Sequence, residues 1–211
     1  MNFFRSTFFI LSIALGLNLF LNTYRLSDRD LGTAWDEGFY AQVARNIAGD
    51  LKNLKAPILY TNGVEIDHDT YPPRAKVIID KPPLLMWLGG ILGRLISPSI
   101  LVFRSVSIAA SLIATLAFFL ILQSFGNRRN ALMGAFIFAT HPLLIAYSRV
   151  FMTDVLFLAL VLLVALFLLK STDGENPKLA IVCLGIFSFL AFLTRQMSGL
   201  PLFLCFIVFI F

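Results

Sequence analysis

The chain has 211 residues, 58% of them hydrophobic and 14% charged, with 22 phenylalanines and a formal net charge of +5. A soluble domain carries charge on about a quarter of its residues. That deficit, with a mean hydropathy of +0.84, excludes an ordinary globular protein and predicts an all-α polytopic membrane bundle. The positive excess points to cytoplasmic loops or anionic lipid headgroups. Nucleic acid is excluded as a partner, because there is no soluble basic face to hold it.

A membrane helix needs about 20 apolar residues. The first such run, about 6–24, follows Arg5. No small-x-small cleavage site comes after it, so it reads as an uncleaved span, not a signal peptide. The stretch 25–100 is too long for a turn and reads as an external loop. Inside it, Phe39/Tyr40, Val43/Ala44 and Ile47/Ala48 recur at helical spacing, predicting an amphipathic helix over about 35–49. Thr33 and Asp36 are spaced as a capping box, and Gly49 suits the helix end.

The run 82–97 opens on Pro82-Pro83 and holds Gly89, Gly90 and Gly93. As a helix it reaches roughly 24 Å, short of a hydrocarbon core of about 30 Å. It reads as an interfacial or re-entrant helix. Spans are then expected at about 101–123, 131–147, 151–170, 179–194 and 199–211. If 82–97 does not cross, Arg128, Arg129, Lys170 and Lys178 fall on the cytoplasmic side with the N-terminus, as the positive-inside rule prefers. The segment 148–154 and Arg195 then fall outside, with the first loop. The last run has no polar end, so the chain is expected to be the N-terminal part of a longer protein. Cys183 and Cys205 lie inside apolar runs and read as small buried hydrophobes. No N-x-Ser/Thr acceptor motif is present.

Four polar motifs interrupt this apolar background. Asp36 and Glu37 head the amphipathic helix, where the helix dipole favours acids. They are either ordinary helix-start acids or carboxylates held ionised as a base or metal ligand. Asp80-Lys81-Pro82-Pro83 aims a lysine at the membrane boundary, either snorkelling or meeting a lipid phosphate. Ser148-Arg149 leads to Asp154, an acid at the mouth of an apolar run, which is costly without a partner or a role unless it caps the helix. Arg195 stands between two apolar runs, where interfacial anchors are common. Each has an ordinary explanation alone. Together they put acids and cations on one side of one membrane. Such a set suits a polyprenyl-phosphate sugar, with cations stabilising the departing phosphate and a carboxylate deprotonating the incoming hydroxyl.

The order Asp36-Glu37, Tyr40, Ala44-Arg45, Lys81-Pro82-Pro83-Leu84, Trp87, Arg104, Pro142, Ser148-Arg149, Asp154, Thr194-Arg195 resembles the N-terminal part of GT-C membrane glycosyltransferases. The group it is most similar to contains the lipid A aminoarabinose transferase and the protein O-mannosyltransferases. The resemblance implies that Asp36 is the catalytic acid of the first external loop, with Glu37 as its helper. It implies that Asp154 is a second external acid that organises the site, and that Lys81 meets the lipid phosphate with Arg149 and Arg195. At Arg195 the family usually shows Lys, often followed by Gly-Pro, so this chain departs there. Any metal remains unassigned, with Asp36 and Asp154 as candidate ligands for a divalent cation. Asp67-His68-Asp69 is a further metal-competent triplet, but it reads more simply as a solvated loop tip. His141 is expected in mid-helix beside a proline kink.

The function expected is transfer of a hexose or pentose from a polyprenyl-phosphate donor to a lipid, protein or glycan hydroxyl on the extracytoplasmic face. Two rivals stand beside it. A polyprenyl-lipid transporter would need ionisable groups deep in its spans, where this sequence has almost none. The other rival is a non-catalytic membrane subunit, a pseudoenzyme or truncated product, which the expected missing C-terminal part keeps open.

Overall fold

In a computed structural model, the described residues are 2–28, 35–54, 58–59, 76–77, 82–173 and 176–210. The protein is an all-helical membrane bundle. The helices are α1 (Asn2–Thr23), α2 (Trp35–Gly49), α3 (Leu84–Leu95), α4 (Ile100–Phe125), α5 (Arg128–Ala139), α6 (Pro142–Ser148), α7 (Thr153–Asp173), α8 (Pro177–Thr194) and α9 (Gln196–Ile210). Between α2 and α3, a two-residue antiparallel ladder pairs Ile58 with Val77 and Leu59 with Lys76.

Among the described residues, four stretches are long and apolar enough to cross a membrane: Phe9–Asp28, Ile100–Phe125, Thr153–Thr172 and Pro177–Thr194. The expected span 131–147 is built of two helices, α5 and α6, which together are long and apolar enough to cross and are bent by 53° at 140–141. Pro142 is the cause. It has no N–H and its ring blocks a continuing helix, but it fits the first position of a new one. His141 is therefore not in mid-helix. It is the exposed residue preceding α6, and its carbonyl accepts from the Ile145 amide at 3.1 Å. The last helix starts three residues before the expected 199 and is shorter than the four long spans.

The break is healed from outside. Asn18 of α1 donates Nδ2 to the Ala139 carbonyl at 2.7 Å. Ser111 of α4 donates to Asn18 Oδ1 at 2.9 Å, and Ser148 of α6 donates to Asn22 Oδ1 at 2.6 Å. All four side chains are fully buried. Where no water is present, such side-chain partners are what permits a broken helix.

The two short helices of the first loop pack on each other beside the bundle. A 15-residue helix like α2 is marginal alone, so its formation rests on burial of Tyr40, Val43, Ala44 and Ile47. Each large apolar side chain removed from water stabilises it by about 1.5–3 kcal/mol. These residues meet Leu85, Met86, Phe103 and Phe151 in one core. Gly90 makes the approach possible: a Cβ there would lie 2.5 Å from Ile47 Cγ2 and 3.2 Å from the Ala44 carbonyl oxygen. Arg94 of α3 closes the pair by donating to the Ala48 and Gly49 carbonyls at the end of α2, at 3.0 and 3.1 Å.

Candidate functional site

The polar groups gather where α1 ends, α2 begins and α7 begins. Glu37, in the first turn of α2, is fully buried. Its two oxygens take Arg104 Nε at 2.8 Å and Nη2 at 3.0 Å, a bidentate pair across to α4. Oε1 also accepts the Phe151 amide at 2.8 Å. Arg104 Nη1 donates to the Leu26 carbonyl at 3.1 Å. The Glu37–Arg104 pair thus joins the first turn of α2, the first turns of α4, the exit of α1 and the linker 149–152.

The exit of α1 is shaped for this. Arg25 adopts φ 51°, the left-handed conformation that ends a helix. The turn offers its carbonyls inward: Arg149 Nη2 donates to Tyr24 at 2.7 Å and to Arg25 at 3.2 Å. Arg149 Nε is buried and has no hydrogen-bond partner among the described residues. The Phe151 ring packs 5.4 Å, centroid to centroid, from Phe103. It also touches the helix α3 face at Gly89, where a Cβ would meet its ring at 2.5 Å.

Asp154, in the first turn of α7, takes Arg195 Nη1 on Oδ1 at 3.2 Å. Their side chains are 29% and 46% exposed, so this pair faces the surroundings, unlike the sealed Glu37–Arg104 pair. Arg195 lies at the α8–α9 break. Asp36 is half-buried in the same turn as Glu37. The bond from Phe151 to Glu37 therefore sets the turn carrying Asp36 at the same end of the bundle as Asp154, Arg149 and Arg195. The opposite end carries Arg128, Arg129, Lys170 and Lys178.

Lys81, Thr33 and the triplet Asp67-His68-Asp69 lie outside the described residues. Among the described residues, no three carboxylate, imidazole or thiol groups converge as a metal site would require. Arg104 and Phe151 were missed as site residues by spacing. For Arg104 the signal existed: a cation inside an apolar run is costly unless partnered. Phe151 participates through its backbone amide, which no side-chain pattern announces.

The family model described as dolichyl-phosphate-mannose-protein mannosyltransferase matches residues 80–211. The matched stretch carries Lys81, Arg104, Arg149, Asp154 and Arg195, while Asp36 and Glu37 precede it. No curated protein and no solved structure matches.

Proposed function

Because the chain belongs to the dolichyl-phosphate-mannose-protein mannosyltransferase family, a GT-C type of membrane glycosyltransferase using lipid-linked sugars, we propose that it passes a sugar from a polyprenyl-phosphate donor to an acceptor hydroxyl on the extracytoplasmic face. Asp36 takes the proton of the acceptor hydroxyl. The acceptor oxygen forms a bond to the anomeric carbon as the bond from that carbon to the phosphate oxygen breaks. The electron pair leaves with the phosphate, and attack from the opposite face inverts the anomeric centre. The products are the glycosylated acceptor and polyprenyl phosphate.

Lys81, Arg149 and Arg195 stabilise the charge growing on the phosphate. The Nε of Arg149, which has no hydrogen-bond partner among the described residues, supports that role. Asp154 holds Arg195 in place and organises the site. Glu37 works as a positioning residue, since both of its oxygens are engaged and it has no exposure. The extracytoplasmic assignment rests on charge: the end away from the site carries the basic loops.

The observation that carries this reading is the Phe151–Glu37 hydrogen bond, because it brings the two acid-bearing turns to one end of the bundle. Replacing Asp36→Asn is expected to abolish sugar transfer while membrane insertion is unchanged. Undiminished transfer by that variant would remove Asp36 from the role of base.

A further inference from the structure

A groove of about 190 Å³ opens beside the α5–α6 break. Its lining combines apolar side chains, among them Phe138, Leu144 and Leu158, with three polar ones, His141, Tyr147 and Asp154. It is smaller than the ~300–1,000 Å³ that encloses a whole small ligand, so it fits a segment of a longer amphiphile. Its walls belong to α7 and to the bent pair α5–α6, stretches apolar enough to cross a membrane. Those walls give a lipid chain an apolar surface to lie against.

The groove discriminates by charge. Among the described residues no lysine or arginine lines it, and its acid is already engaged through Oδ1 by Arg195. A phosphate there would face the Asp154 carboxylate, and the cation beside it, Arg195, is already paired with that carboxylate. A neutral hydroxyl meets better terms. Asp154 Oδ2 and the side chains of His141 and Tyr147 have no hydrogen-bond partner among the described residues. Each can accept or donate to a hydroxyl-bearing headgroup while the apolar wall holds the chain below it.

We propose that this groove is the acceptor subsite, and that the acceptor is a membrane lipid with an uncharged, hydroxyl-bearing headgroup. The proposal rests on the glycosyl-transfer reading of Asp36 and Asp154 and adds the class of acceptor. Asp154 orients the acceptor hydroxyl, and His141 and Tyr147 select the headgroup.

The test uses the full-length protein in phosphatidylcholine nanodiscs, photolabelled with a diazirine-tailed diacylglycerol as probe. Adducts are expected to concentrate between residues 138 and 158 and to be displaced by unlabelled diacylglycerol. Leu158→Trp should cut this labelling at least tenfold and leave labelling on α1 unchanged. His141→Ala, at an exposed position, should weaken it severalfold without altering the fold. Even labelling over the exposed faces of α1 and α8 would overturn the proposal. Displacement by polyprenyl phosphate would overturn it too, assigning the groove to the donor's tail. In a transfer assay with a polyprenyl-phosphate sugar, Leu158→Trp should raise the acceptor KM at least tenfold and leave the donor KM unchanged. Transfer to peptide hydroxyls alone, indifferent to Leu158→Trp, would overturn the lipid acceptor and keep the transferase. A wild type that never consumes donor would instead sink the glycosyl-transfer reading, while the labelling still decides what the groove holds.

Discussion

Asp36 and Glu37 are adjacent in sequence and differ completely in surroundings. Glu37 is sealed against Arg104, and a buried pair loses about 3–5 kcal/mol when one partner is removed, because the other charge is left uncompensated. Glu37→Ala and Arg104→Ala are each expected to destabilise by about that much. The double variant Glu37→Leu with Arg104→Leu should recover most of the loss, since no charge remains buried. Thermal unfolding in detergent checks this, and a double variant worse than either single would contradict it. Arg195 makes the opposite case. Its pair with Asp154 is substantially exposed, and exposed pairs contribute about 0–1 kcal/mol. Arg195→Ala should therefore leave stability nearly unchanged. Donor affinity should fall by about tenfold, about 1.4 kcal/mol, measured by titration with a polyprenyl-phosphate sugar. At this scale the sequence singled out Asp154 by its cost at the mouth of an apolar run, Arg195 by its place between two such runs, Asp36 by its place at a helix start, and Arg149 through the family resemblance. It was silent on which acid is sealed, because two neighbours on a helix point about 100° apart and only the packing partner tells them apart.

The short helices were legible as elements. The residues of α2 announced themselves by periodicity, and α3 by its prolines, glycines and shortness. Their fit to each other was not legible, because it depends on which α2 side chain meets which glycine. Gly90→Leu places a branched chain against Ile47 and the Ala44 carbonyl. Overpacking of this kind costs about 1–3 kcal/mol. The α2–α3 pair should open, detected as faster amide exchange in α2 while the long spans keep their protection. The bent α5–α6 pair read as one span, since its apolar run continues through the break. Pro142 marked the place, but the bend also requires Asn18 from a helix 121 positions away to satisfy the Ala139 carbonyl. Asn18→Leu should destabilise by about 1 kcal/mol, the scale of interhelical hydrogen bonds in membranes. Unfolding in mixed micelles measures it, and no loss would show that the carbonyl needs no partner.

For the whole molecule, the question is which acids share a side of the membrane. Single cysteines at Asp36, Gln123 and Asp154, in a Cys183→Ala, Cys205→Ala background, answer it by side-specific labelling. Positions 36 and 154 should label from outside and 123 should not. Labelling of 36 and 154 from opposite sides would leave the two acids unable to serve one reaction. Composition and hydropathy by themselves determined that this is a helical membrane protein with charge confined to the ends of its spans, because the bilayer admits only satisfied backbone and punishes buried charge. The order of short motifs determined the family resemblance. The tertiary structure alone decided that Glu37 locks Arg104 and the Phe151 amide, that Arg149 rests on the exit of α1, and that Asp154 stands in a groove beside a broken helix. These are contacts between residues tens of positions apart. No local pattern encodes such contacts, because they exist only once the helices have packed.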